Sequence, residues 1–168
     1  MNGLVTVFIG SDSDYETVKP ALDQLSGFGI AWEIVVSSAH RSPERTRRLV
    51  REAESKGAEC LIAAAGCAAH LAGVIASETT LPVIGIPIDA SSLKGMDALL
   101  ATVQMPSGIP VATMAVGQAG ARNAAVLAAR ILAIKYPEIK RRLNDHQQAL
   151  AEQVEVKNKR LQERLAAG

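Results

Sequence analysis

The chain has 168 residues, of which 48% are hydrophobic and 3% aromatic, and its formal net charge is +1. A chain of this length and composition can bury one aliphatic, alanine-rich core. The near-neutral charge disfavours nucleic acid as a partner, because phosphate backbones are bound by concentrated positive charge. We see no apolar run long enough for a membrane span and no secretory signal, so we expect a cytoplasmic protein.

Five apolar runs alternate with helical patterns over residues 1–136. Strands are predicted at 4–9, 31–36, 59–65, 81–86 and 110–116, and helices from Asp14, Ser42, Leu71, Ser91 and Ala121, the last of them without a clear polar face. We place Pro87 at the end of the fourth strand, where proline costs least. Strands that alternate with helices form a parallel sheet covered on both faces. The predicted fold is therefore a three-layer α/β/α sandwich with a five-stranded, flavodoxin-like parallel sheet.

The chain changes character at Pro137. Apolar residues then keep one stripe along a long helix, at Ile139, Leu143, Leu150, Val154, Leu161 and Leu165. We divide the chain into an α/β domain, 1–136, and a C-terminal helical arm, 137–168. We favour an arm that packs on neighbouring subunits of a homo-oligomer over a helix that folds back on its own domain.

The first predicted strand leads into a polar loop, Gly10–Asp14. Its backbone N–H groups and the Ser11 and Ser13 hydroxyls lie where a helix begins, an arrangement that binds phosphate. It lacks the lysine of a Walker loop and the later glycines of a dinucleotide fingerprint, so a single phosphate fits better. One of the two aspartates, Asp12 or Asp14, should cap the helix or hold a ribose hydroxyl. The alternative is a plain capped turn.

Two histidine loops follow the second and third predicted strands. Ser38, His40 and Arg41 lie in the first, and His70 ends the Gly66 loop in the second. The carboxyl ends of parallel strands meet at one sheet edge, where ligands bind. His40 has the residue type of a general base, and arginine can grip phosphate or carboxylate. For either histidine a structural role is the open alternative.

Neither the cysteines nor the acidic residues predict a metal centre. Cys60 and Cys67 have no matching pair of histidines or cysteines, so zinc and disulfide frameworks are both disfavoured. Cys67 could react near a helix N-terminus, but its alanine-rich surroundings favour an inert side chain. From spacing alone, the chain is an α/β domain with a mononucleotide-sized anion site and two histidines on its rim.

Six blocks of sequence, in the same order, make the chain resemble a known family. These blocks are 10–14 (GSDSD), 38–43 (SAHRSP), 66–71 (GCAAHL), 82–87 (PVIGIP), 104–111 (QMPSGIPV) and 120–125 (GARNAA). They resemble the PurE family, the 5-(carboxyamino)imidazole ribonucleotide mutases of purine biosynthesis. The resemblance covers about residues 4 to 136.

The resemblance implies a cofactor-free and metal-free isomerisation. The family moves a carboxylate from the exocyclic amine of the ribonucleotide to ring carbon four, through CO2 held in a closed site, while one histidine handles the protons. By motif position that histidine is His40. The implied substrate-binding residues are Ser11, Ser13, Asp14, Ser38, Ala39, Arg41, Gly66 and His70. Exclusion of water would keep CO2 in place and let a single imidazole act as acid and base.

The sequence of the Gly66 loop distinguishes the two branches of the family. Its Ala-Ala-His-Leu run resembles the mutase branch, whereas Cys67 and Ala72 depart from the Gly-Gly and Leu-Pro-Gly of that branch. The family is octameric, and its last helix reaches onto neighbouring subunits. Two alternatives stay open: a carboxylase that uses free CO2 on aminoimidazole ribonucleotide, and a non-catalytic mononucleotide-binding module.

Overall fold

Five parallel strands form the centre of the molecule in a computed structural model, which describes residues 3–167. The strands are β1 (Leu4–Ile9), β2 (Ala31–Val36), β3 (Cys60–Gly66), β4 (Val83–Ile88) and β5 (Ala112–Thr113). Their order is β2-β1-β3-β4-β5, with every pairing parallel. This is the flavodoxin-like order, in which the chain direction across the sheet reverses between β1 and β3. The predicted sheet is confirmed.

Helices cover both faces of this sheet. After a 3₁₀ turn (Asp12–Asp14) they are α1 (Tyr15–Gly27), α2 (Pro43–Ser55), α3 (Leu71–Ser77), α4 (Met96–Val103), α5 (Gln118–Leu132) and α6 (Pro137–Ala167). One core lies between the sheet and α1, α5 and the start of α6; the other lies between the sheet, α2 and α3. Thr102 of α4 lies beside Gly85 on the same face as α3. The three-layer sandwich is therefore confirmed.

The fourth strand differs from its prediction because Pro87 lies inside β4, paired with Ala65 of β3. The Pro87 carbonyl faces the β5 side, where it accepts the Gly117 N–H at 2.9 Å. The proline nitrogen faces the same side, beyond the point where β5 has ended at Thr113. No ladder hydrogen bond is lost to its missing N–H, so the strand continues through the proline.

The fifth strand and fourth helix are shorter than predicted. β5 pairs only at two positions, Ile84 with Ala112 and Gly85 with Thr113, which leaves little backbone unpaired at this edge of the sheet. α4 begins at Met96 instead of Ser91, because the chain before it adopts positive φ angles that cannot continue a right-handed helix. Those angles are 51° at Lys94 and 81° at Gly95.

α5 is shifted three residues towards the N-terminus and has a clear polar face, contrary to the prediction. Its buried face is alanine-rich and packs mainly on α1. Arg122, Asn123 and Arg130 are exposed on the other side. Gly120 is required near its start, since a Cβ there would lie 1.7 Å from the Ala115 carbonyl oxygen. The small side chains thus permit close packing of helix on helix.

The long helix predicted after Pro137 is confirmed as α6. Its first turns pack on their own domain, where Ile139 is buried and the Phe28 and His146 rings meet edge to face at 5.4 Å. From residue 147 to 166 every side chain is exposed, including Leu150 and Val154. Met1, Asn2 and Gly168, which our division of the chain includes, lie outside the described residues. Within 3–167, no helix is long and apolar enough to cross a membrane.

Candidate active site

A cavity of about 420 Å³ opens at the carboxyl ends of β1, β2 and β3. It lies at the reversal point of the strand order, where sheets of this kind bind their ligands. All the predicted site residues except His70 line it: Ser11, Ser13, Asp14, Ser38, Ala39, His40, Arg41 and Gly66. Its volume falls in the usual range for small-molecule sites. The three predicted loops therefore do converge on one place.

The loop after β1 is held by a reciprocal capping box. The Ser13 N–H donates to Ser11 Oγ at 3.3 Å, and the Ser11 N–H donates to Asp14 Oδ2 at 3.0 Å. The Ser13 hydroxyl in turn donates to Ser11 Oγ at 2.9 Å. Asp14 is therefore the aspartate that caps, as one of the two was expected to do. The box leaves the two serine hydroxyls together on the cavity wall.

Asp14 is nearly buried under this loop, with 8% of its surface exposed. Burial is the main influence on its carboxyl group and raises the pKa above its usual value, while the N–H groups of Ser11 and Gly10 act in the opposite direction. Nearby Asp12 also raises the pKa of Asp14. The Asp14 carboxyl therefore holds its proton to a somewhat higher pH than an exposed aspartate does.

The loop after β2 carries His40 and Arg41 at the cavity rim. The Arg41 backbone N–H donates to Ser38 Oγ at 3.2 Å, and its Nε approaches the same oxygen at 3.4 Å. Ser42 is the N-cap residue of α2 but makes no capping hydrogen bond with its side chain; its hydroxyl donates to the Ser38 carbonyl at 3.1 Å. The Arg41 side chain is thus tethered to Ser38 through its Nε and lines the cavity.

His40 and His70 are in direct contact. His40 Nε2 lies 2.8 Å from His70 Nδ1, and the two rings are nearly perpendicular, at 84°. His70 is not part of the cavity wall; it lies beside a separate groove between α3 and α4, with Gly73 and Gln104. The sequence placed both histidines on this edge of the sheet without predicting that they touch.

The loop after β3 contains a strained cysteine. Cys67 has φ of 54°, in the left-handed region that glycine adopts without cost, and its Sγ lies 3.8 Å from the Ala90 carbonyl oxygen. Gly66 fits tightly here, since a Cβ would lie 2.5 Å from the Ala90 Cβ. The exposed Cys67 thiol lines the cavity. Cys60 is buried, which raises the pKa of its thiol to about 12.

Ser37 and Ala90 are among the cavity-lining residues that were not predicted as site residues. Ser37 is buried and shares a 2.7 Å hydrogen bond with Thr46, which ties the His40 loop to α2. Ala90 closes the cavity from the loop after β4. Ser37 could have been predicted, because it directly follows the apolar run of β2. No local feature of the sequence indicates that Ala90 lines the cavity. Within residues 3–167, no three His, Cys, Asp or Glu side chains are placed to share a metal ion.

The fold and cavity define a class of protein: a flavodoxin-like domain that binds a small ligand at the switch point of its sheet. A family model described as AIR carboxylase matches residues 4–153. The N5-carboxyaminoimidazole ribonucleotide mutases of Pyrococcus horikoshii and Thermotoga maritima are 54% and 48% identical to this chain. Both alignments cover 95% of this chain, and they cover 89% and 92% of the respective relatives.

A solved structure agrees with these relatives. The crystal structure of Treponema denticola PurE has a TM-score of 0.86 to this chain at 28% identity, covering 95% of this chain and 98% of that one. The chain belongs to the AIR carboxylase family, and the predicted resemblance to PurE proteins is confirmed.

Proposed function

We propose that this protein is an N5-carboxyaminoimidazole ribonucleotide mutase. The observation that carries the proposal is the cavity at the β1–β3 switch point, where the predicted loops converge in a chain about half identical to proteins of that name. In the reaction the bond between the exocyclic nitrogen and the carboxylate breaks, and a bond from the carboxylate carbon to ring carbon four forms. One proton leaves ring carbon four and one is gained at nitrogen, so the reaction is an isomerisation.

The cavity offers separate groups for the phosphate, the ribose and the base. Arg41 presents a guanidinium at the rim, and the Ser11 and Ser13 hydroxyls lie together on the wall, which suits a phosphate. We assign Asp14 and Ser38, which also line the cavity, to the ribose hydroxyls. The Gly66 loop then faces the imidazole ring, with small side chains that allow it to lie flat. These assignments extend the sequence predictions and rest on the convergence of the loops.

His40 is the proposed proton carrier. It lines the cavity between Ala39 and Arg41, and one imidazole can take the proton from ring carbon four and return it at nitrogen. His40 is exposed in the single chain, so the cavity must close before CO2 could be retained. Movement of the Gly66 loop or contact with a neighbouring subunit would supply that closure.

We also propose that the protein is a homo-octamer in which α6 packs on neighbouring subunits. Supporting this, the part of α6 beyond His146 exposes Leu150, Val154, Leu161 and Leu165, and such a surface is usually covered by a partner. The ribonucleotide substrate and a cytoplasmic location stay part of the same proposal.

A paired assay tests the function. One reaction receives the carbamate ribonucleotide and the other receives aminoimidazole ribonucleotide with bicarbonate, and absorbance follows the 4-carboxy product in both. The proposal predicts rapid product from the carbamate at a rate that does not depend on added bicarbonate. Product in the second reaction alone, rising with dissolved CO2, would instead identify the carboxylase. Product in neither would leave a binding module.

A further inference from the structure

The contact between His40 and His70 constrains where protons lie on the two rings. The 2.8 Å separation of His40 Nε2 and His70 Nδ1 is a hydrogen bond, so one nitrogen donates and the other accepts. A neutral imidazole carries one N–H and one lone pair. Two arrangements of the neutral pair therefore satisfy the contact, and they differ in what they leave for chemistry.

In one arrangement His70 Nδ1–H donates to His40 Nε2. The proton of His40 is then on Nδ1 and its lone pair is occupied by His70, so His40 has no free base. In the other arrangement His40 Nε2–H donates to His70 Nδ1, and the His40 Nδ1 lone pair is free. Only this second arrangement lets His40 take up a proton without breaking the contact.

Proton uptake strengthens the second arrangement. When Nδ1 of His40 gains a proton, the ring becomes an imidazolium whose Nε2–H still points to His70, and the hydrogen bond becomes charge-assisted. Protonation of both rings would place two donors face to face and break the contact. A neutral His70 acceptor thus favours the form of His40 that exists after proton transfer, provided His70 keeps its Nδ1 lone pair.

The backbone holds His70 in place for this role. Its N–H donates to the Ala68 carbonyl at 2.8 Å, and its carbonyl accepts the Val74 N–H at 2.9 Å as α3 begins. On the side away from the cavity, His70 borders a groove, and none of the described residues that line this groove with it is acidic or basic. On the cavity side, the ionisable wall groups are Asp14, Arg41 and Cys67. His70 reaches the cavity through His40 and is not itself on its wall.

We propose that His70 is a positioning residue for the reaction: its Nδ1 accepts the Nε2–H of His40 and so presents His40 Nδ1 as the proton acceptor. This inference rests on the proposed function. It gives His70 a different role from the direct substrate contact that the resemblance implies.

Three variants test the role by kinetics. His70→Asn keeps an acceptor oxygen near the place of Nδ1, His70→Gln moves the polar group towards the place of Nε2, and His70→Leu removes it. We expect kcat on the carbamate ribonucleotide to fall about 10- to 100-fold in the Leu and Gln variants, with KM within about threefold, as for loss of a hydrogen bond to a charged group. His70→Asn should recover most of the lost kcat.

Two kinetic results would overturn the inference. A large rise in KM with kcat preserved would make His70 a substrate contact, and equal losses in the Asn and Leu variants would show that the hydrogen bond is not what matters. Thermal unfolding and oligomer mass serve as controls for folding of each variant.

A readout independent of turnover separates this inference from the proposed function. Nitrogen-15 NMR of histidine-labelled wild-type protein reports which ring nitrogen is protonated. We expect neutral His40 as the Nε2–H form, and a mixture of both forms in His70→Leu. A His40 protonated at Nδ1 in the wild type would refute the inference whatever reaction the protein catalyses.

Discussion

Replacing Cys67 with glycine should stabilise the protein. The φ of 54° at Cys67 is in the left-handed region, which costs an ordinary residue roughly 1–2 kcal/mol relative to its preferred conformations. Glycine removes that cost but loses about 0.5–1 kcal/mol more backbone entropy on folding. The Sγ contact with Ala90 at 3.8 Å is long and on an exposed side chain, so its loss adds little. The net expected gain is about 0.5–1 kcal/mol.

Thermal unfolding at fixed protein concentration measures this gain. For a chain of this size, about 0.5–1 kcal/mol corresponds to a rise in Tm of roughly 1–4 °C. Lys94→Gly is the matched control, since Lys94 has φ of 51° and lies outside the cavity wall. Gly57→Ala is the converse: φ is 86°, and a Cβ there meets nothing within 4 Å, so its expected loss reports the backbone effect alone.

The controls make the reasoning refutable. If Lys94→Gly raises Tm and Cys67→Gly lowers it, the Cys67 thiol contributes more stability than its backbone conformation costs, which would refute the expected gain. If Gly57→Ala leaves Tm unchanged, a positive φ carries no measurable penalty in this protein. Cys67→Ala, which keeps the Cβ and removes the thiol, should match the wild type and identifies which group is responsible.

Three further predictions concern the first loop, the acid stability and the arm. Ser11→Ala removes the side-chain acceptor of the capping box, and we expect a loss of about 1 kcal/mol in urea unfolding; an unchanged midpoint would mean that the box contributes nothing. Hydrogen bonds from Arg141 and Arg142 lower the pKa of Glu138 from 4.5 to about 2. The carboxylate therefore stabilises the fold above pH 4.5, and this contribution is lost as pH falls towards 2; Glu138→Gln should show a shallower acid dependence over that range, and an identical profile would contradict it. Truncation after Gln147 keeps the buried start of α6 and should lower the oligomer mass in light scattering, whereas an unchanged mass would show that the arm is not an interface.

Strong local patterns made the fold predictable. β1 and β2 have the predicted bounds because each is a run rich in β-branched and aromatic residues that ends at a polar loop. The position of the cavity followed from topology, since loops after neighbouring parallel strands must share one edge. Elements at the sheet margin were less predictable: β5 has one neighbour to pair with, and the left-handed Lys94 that delays α4 has no signature in its residue type.

The parts of the site that escaped prediction depend on distances between loops. The 2.8 Å contact of His40 with His70 joins residues 30 apart, and its length is fixed by how two loops leave β2 and β3. The position of Ala90 against Gly66 likewise depends on where β4 ends. The sequence prediction ended this strand before Pro87, whereas β4 continues to Ile88. A sequence pattern identifies the loop that carries a side chain; the approach of loop to loop requires the folded sheet.

The measurement that tests the central claim most directly compares wild type with His40→Asn on the carbamate ribonucleotide, together with the affinity of each for the 4-carboxy product. If His40 carries the proton in the cavity at the switch point, kcat falls by about 100-fold or more while product affinity stays within about threefold. A variant that turns over at the wild-type rate would show that the proton is handled elsewhere, and would contradict both the role of His40 and the site built around it.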